Sequence, residues 1–288
     1  DLPDRSRNHE TLYRELLDLG FDGPHFVNEH CPRTTIQSSW GETLATLPSA
    51  KRSGLKRVQR KIESDFKPEL YVENGSGHLR EDFEEFIDLH QRRWNESGQL
   101  GVFANVATAN FHRDIAKIFH EKHWLFLAFL RLDGKRVAAR YGFIYRNQFF
   151  GYLSGAQIHG KLAKYALGKS LHLYSMAEVL KRGVKVYDFM RGTERYKYDF
   201  GGVDENNWTI LMYPAGAIFA KHKFRVVLLV DSLRRRLTAE RFLWNHVSNG
   251  RGETHRGLAS HIFQRIRMNI ADGVRKLRTP EKSLTIAE

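Results

Sequence analysis

The stretch YDFMRGTERYKYDFGG, residues 187–202, gathers three tyrosines, two arginines and a lysine around one Arg-Gly break. It begins as a buried strand, Val184 to Phe189, with Asp188 set inside it. On such a strand Asp188 shares a face with Val186 and Met190, while Tyr187 and Phe189 point the other way. A carboxylate in an apolar strand needs a partner or a task. Arg191 and Lys197 are the nearest charges in the sequence, and backbone amides would serve as well. Asp188, with Glu194 in reserve, is the type of group that takes a proton; Tyr196 or Tyr198 could give one; Arg191 and Lys197 could hold an anion. Titratable groups crowded at a strand end mark a ligand site in α/β proteins.

A second stretch, HGKLAKYALGKSLHLY, reads as a loop opening into a helix near Ala166, Leu167 and Gly168. Lys161, Lys164 and Lys169 flank that helix start. Free backbone N–H groups and the helix dipole favour a phosphate there. Gly168 would let a ligand approach, although a glycine in the first turn of a packed helix is as often structural.

The elements around these stretches follow from periodicity. LREDFEEFIDLHQRRW puts Phe83, Phe86, Ile87 and His90 on one helical face, and His90 reads as a packed core histidine. NFHRDIAKIFHEK is a second helix. HWLFLAFLRL, RVAARYGFIYR and FFGYLSGAQ follow as strands, with Asp133-Gly134 a strong hairpin signal. Then come the helix YALGKSLHLYSMAEVLKRG, the strand VKVYDFM and a last strand in NNWTILMYP. This order predicts an α/β chain of the α+β, mixed-sheet kind over residues 76–215. Residues 1–75 read as a shorter helical segment. It holds NHETLYRELLDLG, a helix capped at Ser38 or Ser39, and the strongly basic helix SAKRSGLKRVQRKIESDF.

The chain has 288 residues and a net charge of +13. Residues 217–288 hold 15 Lys/Arg against 6 Asp/Glu, so most of the excess lies in a tail (216–288) that reads as two basic helices, roughly 217–247 and 256–278. Such a tail suits an anionic partner or is a solvated surface. Cys31 is alone, which excludes an internal disulfide and a cysteine-built zinc site. No apolar run approaches the roughly 18 residues of a membrane span. A cytoplasmic protein, at most peripheral to the inner membrane, is the expectation.

DLHQRRWNESGQLGVF, LDGKRVAARYGF, YLSGAQ…KLAKYALGKSLHLYSMAEVLKRGV and above all YDFMRGTERYKYDFGG resemble the GNAT-type acyltransferase domain of cellulose-biosynthesis acetyltransferases, which is similar to the Fem-type peptidyltransferases. The resemblance covers about residues 35–213. It implies a GNAT-like fold with a splayed sheet, a partial GNAT-like half in residues 1–75, and an acyl-CoA (acetyl-CoA) donor without a metal. It places the CoA pyrophosphate on Lys164, Tyr165, Ala166, Leu167, Gly168, Lys169 and Ser170. Only Gly168 remains of the usual glycine-rich pyrophosphate loop. By resemblance Lys197 lies beside the reacting centre. Asp188, Tyr196 and Lys197 are then the catalytic candidates, and Arg191, Gly192, Glu194 and Tyr198 the substrate-binding ones.

The function this implies is N- or O-acyl transfer to a sugar, an amino compound or an envelope or exopolysaccharide precursor. Two alternatives remain. One is a Fem-like transferase using an aminoacyl-tRNA, for which no RNA-binding motif is visible. The other is a non-catalytic GNAT-like module of a polysaccharide-synthesis complex. The expected partners are a small-molecule or saccharide acceptor and, through the tail, an anionic membrane surface.

Overall fold

A computed structural model describes residues 2–75, 77–157 and 160–217. The basic tail and its two expected helices lie outside the described residues. In chain order the elements begin with β1 (Leu2–Pro3), α1 (Asn8–Asp18), β2 (Phe21–Asp22) and β3 (His25–Thr35). Next come α2 (Trp40–Ala45), α3 (Ser49–Asp65), β4 (Pro68–Val72), α4 (Leu79–Glu96) and α5 (Val106–Glu121). The strands β5 (Leu125–Leu132), β6 (Lys135–Tyr145) and β7 (Gln148–Ala156) follow, then α6 (Leu167–Lys181) and β8 (Val186–Asp188). The last are α7 (Arg195–Asp199), β9 (Val203–Ile210) and β10 (Tyr213–Pro214).

The eight-stranded sheet runs β1-β9-β3-β8-β7-β6-β5-β4. Its pairs are antiparallel except β7 with β8. The hairpins obey local turn chemistry. Asp133 and Gly134 take φ of 49° and 79°, and Arg146 and Asn147 take 47° and 58°, as tight two-residue turns require. The second turn sits one residue earlier than the Asn-Gln pair that composition suggests. Ser39 accepts the Glu42 N–H and so starts α2, and Asn105 does the same for α5.

Two helical layers cover the sheet. Phe83, Phe86 and Ile87 of α4 bury against Leu127, Phe129 and Tyr141 on one face. On the other, Leu173, Met176 and Val179 of α6 and Leu55 of α3 close over Phe126, Phe149 and Tyr187. Such burial is worth roughly 25 cal/mol per Å² of apolar surface and fixes the strand register.

Residues on both sides of position 75 build this one sheet, β4 beside β5 and β3 between β8 and β9. Strand β3 has no visible strand signature: its residues, HFVNEHCPRTT, are mostly half-buried and do not alternate. Pro32 sits inside it without cost to the ladder, because β8 ends at Asp188 and only the Pro32 carbonyl is used, by the Phe189 N–H at 3.0 Å.

Candidate active site

Strands β7 and β8 pair over Gln148–Phe150 and Val186–Asp188, after which β7 runs on to Ala156 paired with β6 only. The chain beyond Asp188 bends away at Met190, whose φ is 59°. Asp188 Oδ1 accepts the Met190 N–H at 2.7 Å and so ties the bend. Its other oxygen takes Arg33 Nε at 2.7 Å, and Arg33 Nη1 goes on to Glu205 at 2.5 Å. The partner therefore comes from β3; neither Arg191 nor Lys197 supplies it. Burial raises the Asp188 carboxyl above the ordinary range, and the Arg33 guanidinium and the Met190 amide draw it part of the way back. Asp188 faces away from α6, since its neighbours Tyr187 and Phe189 are packed against that helix.

Lys197 is 1% exposed and lies in α7. Its Nζ donates to the carbonyls of Met190 (3.0 Å), Arg191 (2.6 Å) and Gly192 (3.1 Å), and pairs with Glu194 at 2.9 Å. The ammonium has three protons, so none is left for a substrate. Gly192, at φ 107°, is fixed by its N–H on the His30 carbonyl, and a Cβ there would press on the Glu194 carboxylate at 2.5 Å. Arg191 and Glu194 are exposed at the rim. Tyr198 donates to Asp204 at 2.8 Å, which raises its phenol. Tyr196 is half-buried beside His172, with ring centroids 4.9 Å apart, and its hydroxyl has no hydrogen bond among the described residues. Burial raises its phenol too.

The start of α6 has an Ala166 N-cap in the left-handed region and no side-chain cap. Its first-turn amides are what a phosphate requires. Of the seven residues expected there, Tyr165, Leu167 and Ser170 turn inward: Tyr165 donates to Asp65 at 2.7 Å, and Ser170 to the Tyr165 carbonyl at 3.3 Å. Ala166, Gly168 and Lys169 face a small opening of about 170 Å³. Lys164 lies over the Tyr165 ring at 5.1 Å. A Cβ on Gly168 would meet nothing within 4 Å, so the protein itself does not require that glycine.

A larger cleft, about 790 Å³, opens between α3, the start of α6 and α7. Lys51 and Arg57 of α3, Lys169 of α6 and Arg195 of α7 supply its cations, and Tyr196 and Tyr198 its floor. Lys169 pairs with Asp199 at 2.7 Å, and Lys51 donates to the Tyr198 carbonyl at 2.8 Å. The cleft thus joins Lys169 of the expected donor loop to four residues of the stretch 187–202, Arg195, Tyr196, Tyr198 and Asp199, and leaves Asp188 outside. Lys51 and Arg57 had read only as the wet side of a basic helix. His90 is a satisfied core residue: Trp94 Nε1 donates to its Nε2 at 2.9 Å, and burial lowers its pKa to about 4.

The model of the acetyltransferase (GNAT) domain family matches residues 49–198, about half of the chain. The chain belongs to this family. The parted β7 and β8 are the splay expected of a GNAT-like fold, and the mixed α/β sheet agrees with it. Among solved structures, FemX aligns with a TM-score of 0.51 at 10% identity, over 67% of this chain and 67% of its own. A conserved protein of unknown function from Bacteroides thetaiotaomicron VPI-5482 gives 0.48 at 14%, over 70% and 66%. The C-terminal domain (DUF2156) of a protein named for lysylphosphatidylglycerol synthetase, from Agrobacterium fabrum, gives 0.46 at 13%, over 76% and 70%. The chain spans about two thirds of the length of these structures. At 10% identity the likeness to FemX speaks for the fold alone, and nothing is built on the other two. No curated protein matches the sequence.

Proposed function

We propose that this GNAT domain transfers an acyl group from acyl-CoA to an amine or hydroxyl, and that the cleft between α3, α6 and α7 takes the donor. The observation that carries this reading is the gathering of Lys51, Arg57, Lys169 and Arg195 beside an uncapped helix start. The exposed Arg57 and Arg195 and the half-buried Lys51 and Lys169 suit the phosphates of CoA, and the α6 amides suit its pyrophosphate. An aminoacyl-tRNA donor would call for cations spread along a longer surface; here they converge on one opening.

Acyl transfer needs a neutral nucleophile, a held carbonyl and a proton for the departing thiolate. Tyr196 borders the cleft with a free hydroxyl that burial keeps protonated, so a proton is present there and we assign it the one given to sulfur. Glu194, paired with Lys197 but exposed at the rim, takes the proton from the nucleophile in this scheme, since Asp188 is buried and held by Arg33 on the far side of β8. Lys197 shapes the loop that carries both. The acceptor we place among sugars and amino compounds of exopolysaccharide or cellulose assembly, on the sequence resemblance alone.

Calorimetric titration of the full chain with CoA, acetyl-CoA and longer acyl-CoAs tests the donor. Binding should weaken on replacing Lys169 and Arg57 together by Ala. A parent that binds none of the three, or a double variant that binds them equally well, would overturn it.

A further inference from the structure

Arg140 is a buried cation without a hydrogen-bond or ion-pair partner among the described residues. It stands in the middle of β6, opposite Ala128 of β5 and Ser154 of β7, and is 3% exposed. Its Nε is shut away from solvent and meets no acceptor. No hydrogen bond or ion pair reaches its guanidinium among the described residues. Its charged neighbours differ: Asp188 has Arg33, and Lys197 has three carbonyls. An isolated buried charge is among the costliest things a fold can carry. Folding alone gives no reason to keep it.

The guanidinium lies against the gap where β7 and β8 part. A Cβ built on Gly151, the first residue of β7 beyond the pairing, would sit 3.5 Å from Arg140 Nη1 and 3.5 Å from the Asp188 carbonyl oxygen. Arg93, near the end of α4, reaches the same gap from the other layer. Its Nη1 donates at 3.3 Å to Ser154 Oγ, on the residue directly across the ladder from Arg140. Burial holds the Arg93 guanidinium below its ordinary range; the charge of Arg140 lowers it further, and Tyr196 and Glu194 act the other way. The Tyr196 hydroxyl, also without a partner, feels both arginines. Two guanidinium forks and a phenol, half-buried or buried, converge on one narrow place, and no ion pair engages either arginine among the described residues; the Glu194 carboxylate acts on Arg93 and Tyr196 from the rim.

We propose that Arg140, Arg93 and Tyr196 form a subsite in the β7–β8 gap for a carboxylate carried by one of the two substrates. The subsite rests on the acyl-transfer reading, because Tyr196 also borders the donor cleft. A carboxylate is preferred to a phosphate by shape. The guanidinium fork matches two coplanar oxygens, and the space at Gly151 is tight, with the Phe149 ring 3.2 Å from where a Cβ would be. The carboxylate belongs either to the acyl chain of a dicarboxylic acyl-CoA or to an acidic acceptor.

Two measurements on the full chain test this. The first is calorimetry with CoA, acetyl-CoA and succinyl-CoA, and, with CoA present, glucuronate against glucose and glycine against glycinamide. At least one acid should bind tenfold or more tightly than its neutral counterpart. A succinyl preference assigns the carboxylate to the donor; a glucuronate or glycine preference assigns it to the acceptor. In Arg140→Met that preference should fall below twofold while CoA binds as it does to the parent. The second is thermal melting. Arg140→Met should melt higher than the parent, since a desolvated charge has been removed, and malonate at constant ionic strength should raise the melt of the parent only. CoA binding without any carboxylate preference overturns the subsite and leaves the donor cleft standing. A preference that survives Arg140→Met, or a variant that melts lower, overturns it too. Failure of CoA itself to bind overturns the donor reading instead.

Discussion

Lys197 and Arg140 are buried to nearly the same degree, 1% and 3% exposed, and both lie close to Tyr196, yet they are opposite kinds of cation. The Lys197 ammonium spends every proton on the carbonyls of residues 190–192 and also meets Glu194, so it belongs to the loop. Arg140 has five donors and, among the described residues, no hydrogen bond or ion pair; its Nε is fully shut away from solvent. Burial does not separate a structural charge from one kept for a ligand. Accounting for each hydrogen bond does.

The sharpest way to break the comparison is Lys197→Met. It strands three carbonyls and a carboxylate, and should cost about 4 kcal/mol in a urea melt. A loss below about 1 kcal/mol would mean that the loop holds itself and the lysine is available to substrate.

A buried base kept neutral provides a third case. His90 has a folded-state pKa near 4 against an ordinary 6.5, so the unfolded chain takes up a proton that the folded one refuses. Its contribution is complete above pH 6.5 and is lost as the pH falls toward 4, by about 3 kcal/mol. Stability followed across that window should flatten by a similar amount in His90→Gln, provided the variant keeps the Trp94 contact.

Arg33→Met converts Asp188 from a paired charge to a lone one, making it resemble Arg140 with the sign reversed. The expected cost at pH 7 is about 2 kcal/mol, recovered as the pH falls and Asp188 takes a proton. Adding Asp188→Asn should restore most of the loss at pH 7. If the double variant is no more stable than the single one, the pair is not what holds the Met190 bend.

The smallest effect belongs to the exposed cations. Arg57→Ala or Arg195→Ala alone should weaken CoA binding about threefold, less at high salt, and leave the melt unchanged.

What the sequence made legible follows a physical line. Helix α4 and the hairpin at Asp133-Gly134 rest on local rules, period and turn chemistry, and were readable from a dozen residues. Strand β3 owes its existence to β8 and β9 on either side and bears no period of its own, so neither it nor Arg33 could be placed. Asp188 was found because a charge interrupts an apolar strand. Arg140, inside VAARYGF, carries the same signal, but in the sequence it reads as one more of the basic residues that face water. Arg57 became a cleft wall only once α7 stood opposite it, a long-range fact that no local spacing contains.

The three residue pairs that join β7 to β8 have a mechanical consequence. They stitch together two blades: one drawn from residues 68–156, the other from 2–35 and 186–210. Stiffness in a sheet comes from its rungs, and along this line there are few. Past Phe150, β7 is an edge strand set in the interior of a sheet, with no strand beside it on that side among the described residues. Edges elsewhere are liabilities that proteins cover or charge. This one carries two arginines: Arg93 donates to Ser154 Oγ, and Arg140 lies against Gly151.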